Sequence, residues 1–103
     1  MEIIVFVTVP ESDAQQLAKI ILQKKLAACV SILPKVESYF WWDGKIDFSK
    51  EVLLMIKTKK DLFVLLEEII KKNHPYDMPE IIAVDICAGN KEYLCWIEEP
   101  LED

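Results

Sequence analysis

Along the chain, apolar positions recur first with period two, then with the helical period, then again with period two. Residues 3–9 alternate around an Ile/Val/Phe core and predict a strand that Pro10 closes. Ala14, Leu17, Ala18 and Ile21 follow at the i, i+3, i+4, i+7 spacing that places them on one helix face. Ser12 with Gln15 matches a capping box and Asp13 adds an acid favoured by the helix dipole, while Lys24 and Lys25 mark the end near Lys25. Residues 27–33 predict a second strand, interrupted by Pro34. The pattern resumes at Val36, runs through Tyr39-Phe40-Trp41-Trp42, turns at Asp43-Gly44 and returns as 45–48 before a further run from Glu51 to Thr58. Between Glu51 and Lys57 that run is apolar on both faces, which places it at the centre of a sheet.

Thr58 and Asp61 predict a second helix start, and Leu62, Leu65, Leu66, Ile69 and Ile70 give it an apolar stripe. Lys71, Lys72 and Asn73 are terminal signals, and Pro75 stops the helix. The two prolines of His74-Pro75-Tyr76-Asp77-Met78-Pro79-Glu80 make that segment a loop. Residues 81–87 predict another strand, and Asn90 caps a short last helix carrying Leu94 and Ile97.

This order predicts a single domain over residues 1–103, an α+β ferredoxin-like split βαβ sandwich with both helices on one face of an antiparallel sheet. The short C-terminal helix is too small to cover the other face alone, so self-association is expected. The hairpin is the natural reaching element. Tyr39 and Trp41 leave one side of it and Phe40 and Trp42 the other, so both sides are aromatic. One Trp is expected to join the subunit's own packing and the other to meet a neighbouring chain. The plainer alternative is a single half-exposed Trp at an edge.

Composition narrows the partners. A chain of 103 residues, 52% hydrophobic and 29% charged, is ordinary for a compact fold. It contains no run long enough to span a bilayer and no signal-peptide pattern at its start, so a cytoplasmic protein without membrane partners is expected. The formal net charge is −6 and all 12 basic residues are lysines. Without arginine forks and with an acidic surface, nucleic acid is not expected as a partner. Cys29, Cys87 and Cys95 form no paired pattern and are expected to be free thiols.

Among chemistry-bearing side chains, His74 is the only histidine, and imidazole suits copper or zinc. Asp77 and Glu80 share its loop, and Cys29 joins them only if the fold brings it near. The competing reading has His74 capping the helix before it or bonding a backbone carbonyl. Trp42, Glu51, Lys57, His74 and Tyr76 are candidates for a cleft at a subunit boundary. Glu51 and Lys57, six residues apart on one strand, stand about 20 Å from each other and must each pair elsewhere. No oxyanion-hole or nucleotide-binding motif accompanies these residues, so no catalytic residue is assigned and no enzyme activity is expected.

Trp41-Trp42-Asp43-Gly44-Lys45-Ile46, Lys50-Glu51 with Ile56-Lys57-Thr58, the segment from His74 to Ile81, and Ala27-Ala28-Cys29-Val30 together resemble the CutA family of divalent-cation tolerance proteins. Ser31 departs from the asparagine frequent there. The resemblance implies a homotrimer, similar in architecture to PII-type signal proteins, with Tyr39, Trp41 and Trp42 at its interface. It also implies a role in tolerance of copper and other divalent ions, with copper(II) or another divalent cation as the bound ion, not required for folding; the residues themselves offer His74, Cys29, Asp77 and Glu80 as its candidate ligands. The alternative is a PII-like regulatory module that binds a small ligand in an intersubunit cleft and signals to a protein partner.

Overall fold

A computed structural model describes residues 1–101. The elements are β1 (Glu2–Val9), α1 (Glu11–Gln23), β2 (Cys29–Trp42), β3 (Lys45–Lys59), α2 (Phe63–Asn73), β4 (Ile81–Asp85) and α3 (Lys91–Glu98). Short 3-10 turns lead into α2 and follow α3. The strands form one antiparallel sheet in the order β2-β3-β1-β4, so β3 is interior, as its two-sided apolar pattern predicts.

Alternation divides the sheet's residues between two faces. Ile3, Val5, Val7 and Val9 of β1 and Val52, Leu54 and Ile56 of β3 are buried against Leu17 and Ile21 of α1 and Leu66 and Ile70 of α2. That is the core. On the opposite face lie Ile4, Phe6, Leu53 and Met55, half-buried, with Ile82 and Val84 exposed. This second face is apolar and lies opposite α1 and α2; α3 packs against β3 and β1, with its Ile97 fully buried outside the helix-side core.

Several local signals differ from expectation. α1 begins two residues earlier, with Pro10 at the N-cap and no side-chain cap, and the Ser12 hydroxyl donates to Asp13 instead. Pro is suited to a helix start because it has no N–H to leave unpaired. Thr58 is not a helix cap. It lies within β3, one residue before its end, fully buried, and its Oγ1 donates to the Leu26 carbonyl at 2.8 Å. Asn90 does cap α3, accepting from the Tyr93 N–H at 3.1 Å.

β2 runs unbroken through Pro34, with a bulge between Leu33 and Val36 that absorbs the proline, and Lys35 takes φ 61° there. A proline is tolerated because β2 is an edge strand. Beyond the bulge β2 and β3 continue as a two-stranded ribbon past the end of β1. Its turn holds Asp43 and Gly44 at φ 55° and 76°, the two left-handed residues of a type I′ turn.

Candidate functional site

At the root of the ribbon the loop after α2 folds back onto the sheet. His74 is the residue that ends α2, and it is 8% exposed. Its Nε2 lies 2.8 Å from the Thr8 carbonyl, and its Nδ1 lies 3.1 Å from the Tyr76 N–H. A carbonyl only accepts and a backbone N–H only donates, so Nε2 carries the proton and Nδ1 supplies the lone pair. Both ring nitrogens are therefore occupied. The imidazole ties the loop to the end of β1, and its ring packs against Tyr76 with centroids 4.7 Å apart.

Tyr76 in turn reaches β3. Its hydroxyl donates to Glu51 Oε2 at 2.7 Å. Burial, and then the bond to the Glu51 carboxylate, push the Tyr76 hydroxyl above its ordinary pKa. Glu51 is only 7% exposed, and this phenol is its hydrogen-bonding side-chain partner. The chain thus brings His74, Tyr76 and Glu51 into one string from the end of β1 to the start of the β3 core segment. Asp77 and Glu80 lie exposed in the same loop.

A second cluster forms six residues further along β3. Cys29 faces Lys57 across the β2–β3 ladder, and the Lys57 ammonium donates to the Ser31 hydroxyl at 3.0 Å and to the Cys29 sulfur at 3.7 Å. From Leu53, beside Thr8, to Lys57 is about 13 Å along the strand. Within one chain Cys29 therefore belongs with Lys57, apart from His74. No group of three His, Cys, Asp or Glu side chains close enough to hold a metal occurs among the described residues.

Tyr39, Trp41 and Trp42 stand on the ribbon at 68%, 74% and 59% exposure. Tyr39 packs on Phe48 of the facing strand, centroids 5.2 Å apart. Trp42, near the turn, is separated within the chain from both clusters. Sequence reasoning assigned no partner to Ser31 or to the Thr8 carbonyl. Ser31 follows Cys29 by two and so shares its face, but the strand register that sets it beside Lys57 has no sequence signal of its own.

The comparisons with known proteins agree with this architecture. The model for the CutA1 divalent ion tolerance protein matches residues 3–100. Protein CutA 1, chloroplastic, of Oryza sativa subsp. japonica is 50% identical over 97 residues, covering 93% of this chain and 55% of that protein. The chain likewise spans 53% of the Arabidopsis thaliana chloroplastic relative, so it corresponds to about half the length of each. The divalent-cation tolerance protein CutA of Thermus thermophilus is 43% identical over 100 residues, covering 96% of this chain and 97% of that one. A solved structure of the Thermus protein superposes with a TM-score of 0.95, covering 99% of this chain and 100% of that chain at 43% identity. The structure of the periplasmic divalent cation tolerance protein CutA from Archaeoglobus fulgidus gives 0.95 at 41% identity, with 99% and 100% coverage. With a matching model over nearly its whole length and relatives of this identity, the chain belongs to the CutA1 divalent ion tolerance protein family.

Proposed function

We propose that this chain forms one domain over residues 1–103, of ferredoxin-like topology, that assembles into a cytoplasmic homotrimer serving divalent-cation tolerance without catalysis. The observation that carries the assembly is the second face of the sheet. Ile4, Phe6, Leu53, Met55, Ile82 and Val84 form an apolar surface opposite α1 and α2, with Ile82 and Val84 exposed, and a soluble chain gains by burying such a surface. The ribbon with Tyr39, Trp41 and Trp42 is the second contact. The sheet order β2-β3-β1-β4 supports the ferredoxin-like reading. No helix among the described residues is long and apolar enough to cross a membrane.

The cation is copper(II) or a similar ion, and it is not needed for folding. Its ligands come from the 74–80 loop, with Asp77 and Glu80 accessible, and from Cys29 of a neighbouring subunit. His74 takes part only by giving up a hydrogen bond, because both its nitrogens are engaged. Trp42, Glu51, Lys57 and Tyr76 line the cleft at the subunit boundary. The alternative of a PII-like regulatory module finds no support in the comparisons.

Copper(II) titration of wild type beside Asp77→Asn/Glu80→Gln, Cys29→Ser and His74→Ala tests the ligand set. The first two are expected to weaken binding by roughly tenfold or more, one lost ligand being worth at least 1.4 kcal/mol. Unchanged affinity in all three moves the cation elsewhere.

A further inference from the structure

Two charged groups on β3 have no opposite charge within ion-pair distance among the described residues. Glu51 is a carboxylate at 7% exposure whose side-chain partner is a neutral phenol. Lys57 is a half-buried ammonium whose partners are a hydroxyl and a thiol. The ion pairs among the described residues are Lys60 with Asp85 and Lys71 with Glu67, so neither group takes part in one. Covering a charge without an opposite partner costs several kcal/mol, and an ion pair with good hydrogen bonding offsets that cost.

The two groups are also placed to complement each other between copies. Residues 51, 53, 55 and 57 alternate onto one side of β3, and the ladder to β1 is unshifted through Leu53, Met55 and Lys57. Glu51 and Lys57 thus bracket Leu53 and Met55 on the apolar face opposite α1 and α2. A second copy seated there covers both charges along with the apolar surface between them. Their separation of about 20 Å forbids pairing within a strand. A surface bearing a cation at one end and an anion at the other is self-complementary when copies meet head to tail.

We infer that Lys57 of one subunit pairs with Glu51 of the next, making this the charge pair that fixes the register of assembly. The inference rests on the self-association proposed above. Each subunit gives one ammonium and accepts one, so every charge is matched in an assembly whose head-to-tail rotation closes a ring. Lys57 keeps its bond to Ser31, and Glu51 keeps its bond to Tyr76 through Oε2, leaving Oε1 for the incoming ammonium. A carboxylate has the lone pairs for both.

A charge-exchange cycle tests this, read by light scattering after size exclusion across a dilution series, with circular dichroism to report the fold. Lys57→Glu and Glu51→Lys are each expected to raise the concentration at which the assembly dissociates by roughly tenfold or more, from loss of the pair and like-charge contact. The exchanged chain carrying both substitutions is expected to recover most of that loss. If a reversed variant does not fold, Glu51→Gln, Lys57→Met and their combination supply the same cycle, with non-additivity as the readout. A wild-type monomer overturns the assembly itself. An assembled wild type whose single variants dissociate no more readily, or whose exchanged chain recovers nothing, overturns the pair alone.

Discussion

The Tyr76 hydroxyl and the Glu51 carboxylate depend on one another. Removing the hydroxyl leaves a covered carboxylate short of a donor, so Tyr76→Phe is expected to destabilise the fold by about 1–3 kcal/mol, measured by urea unfolding. The pH dependence has a definite sign. Because the folded-state pKa of Tyr76 lies above its ordinary value of 10.0, the folded state favours the protonated phenol. Its contribution is complete below the ordinary value and is lost as pH rises through the raised one. Wild type is therefore expected to lose stability more steeply than Tyr76→Phe on the alkaline side, and parallel profiles would refute the linkage. At Thr58 the buried hydroxyl satisfies the Leu26 carbonyl, and Thr58→Val is expected to cost about 1–3 kcal/mol in the same assay. The sequence shows that His74 ends a helix near a carboxylate-bearing loop. It does not show which backbone groups claim the two nitrogens, because Thr8 is 66 positions away and only the tertiary fold brings it within 2.8 Å. Thr58 misleads for a related reason: its side chain has a local use at a helix start and a distant one at Leu26, and the distant carbonyl takes it.

Helices and strands are more legible than their ends. Period two and the helical spacing locate the elements, but α1 closes in a way that composition disguises. The Leu26 N–H bonds the Ile21 carbonyl at 3.1 Å and the Lys25 N–H bonds the Leu22 carbonyl at 3.0 Å, the paired bonds of a Schellman motif, with Leu26 and Ile21 both buried. The left-handed position is Lys25 at φ 56°, where glycine is the usual residue. Lys25→Gly is expected to stabilise the chain by about 0.5–1 kcal/mol, the relief of a strain of roughly 1–2 kcal/mol less the extra freedom of the unfolded chain. A fall in the denaturation midpoint at unchanged slope refutes this. The opposite change applies at the ribbon's turn. Gly44 has open space around its Cα, so Gly44→Ala meets no clash, and its expected cost of about 1–2 kcal/mol is conformational. The bulge at Pro34-Lys35 hides the continuity of β2, because a proline reads as a strand end unless the strand is known to lie at an edge.

At the scale of the whole molecule the apolar pattern shows that the sheet has more hydrophobic surface than its helices cover, while the number of copies that cover it enters through the resemblance and is not written in the periodicity. Phe6 is the position that tests the covering. It lies on interior strand β1, flanked by Met55 on β3 and Ile82 on β4, on the face opposite α1 and α2. A carboxylate there faces dehydration without a partner once a second copy approaches, a cost of several kcal/mol. Its neighbours Val5 and Val7 point into the helix-side core, which the substitution does not enter. Phe6→Asp is therefore expected to lower the mass in light scattering from about three times the 12.0 kDa chain toward the single subunit, with helix and strand signals kept in circular dichroism. Val64 on α2, at 63% exposure but on the helix layer, is the control: Val64→Asp adds the same charge and is expected to leave the mass unchanged. Dissociation of both variants points to nonspecific charge repulsion, and persistence of the Phe6→Asp assembly removes the sheet face as the contact, leaving the aromatic ribbon as the sole candidate.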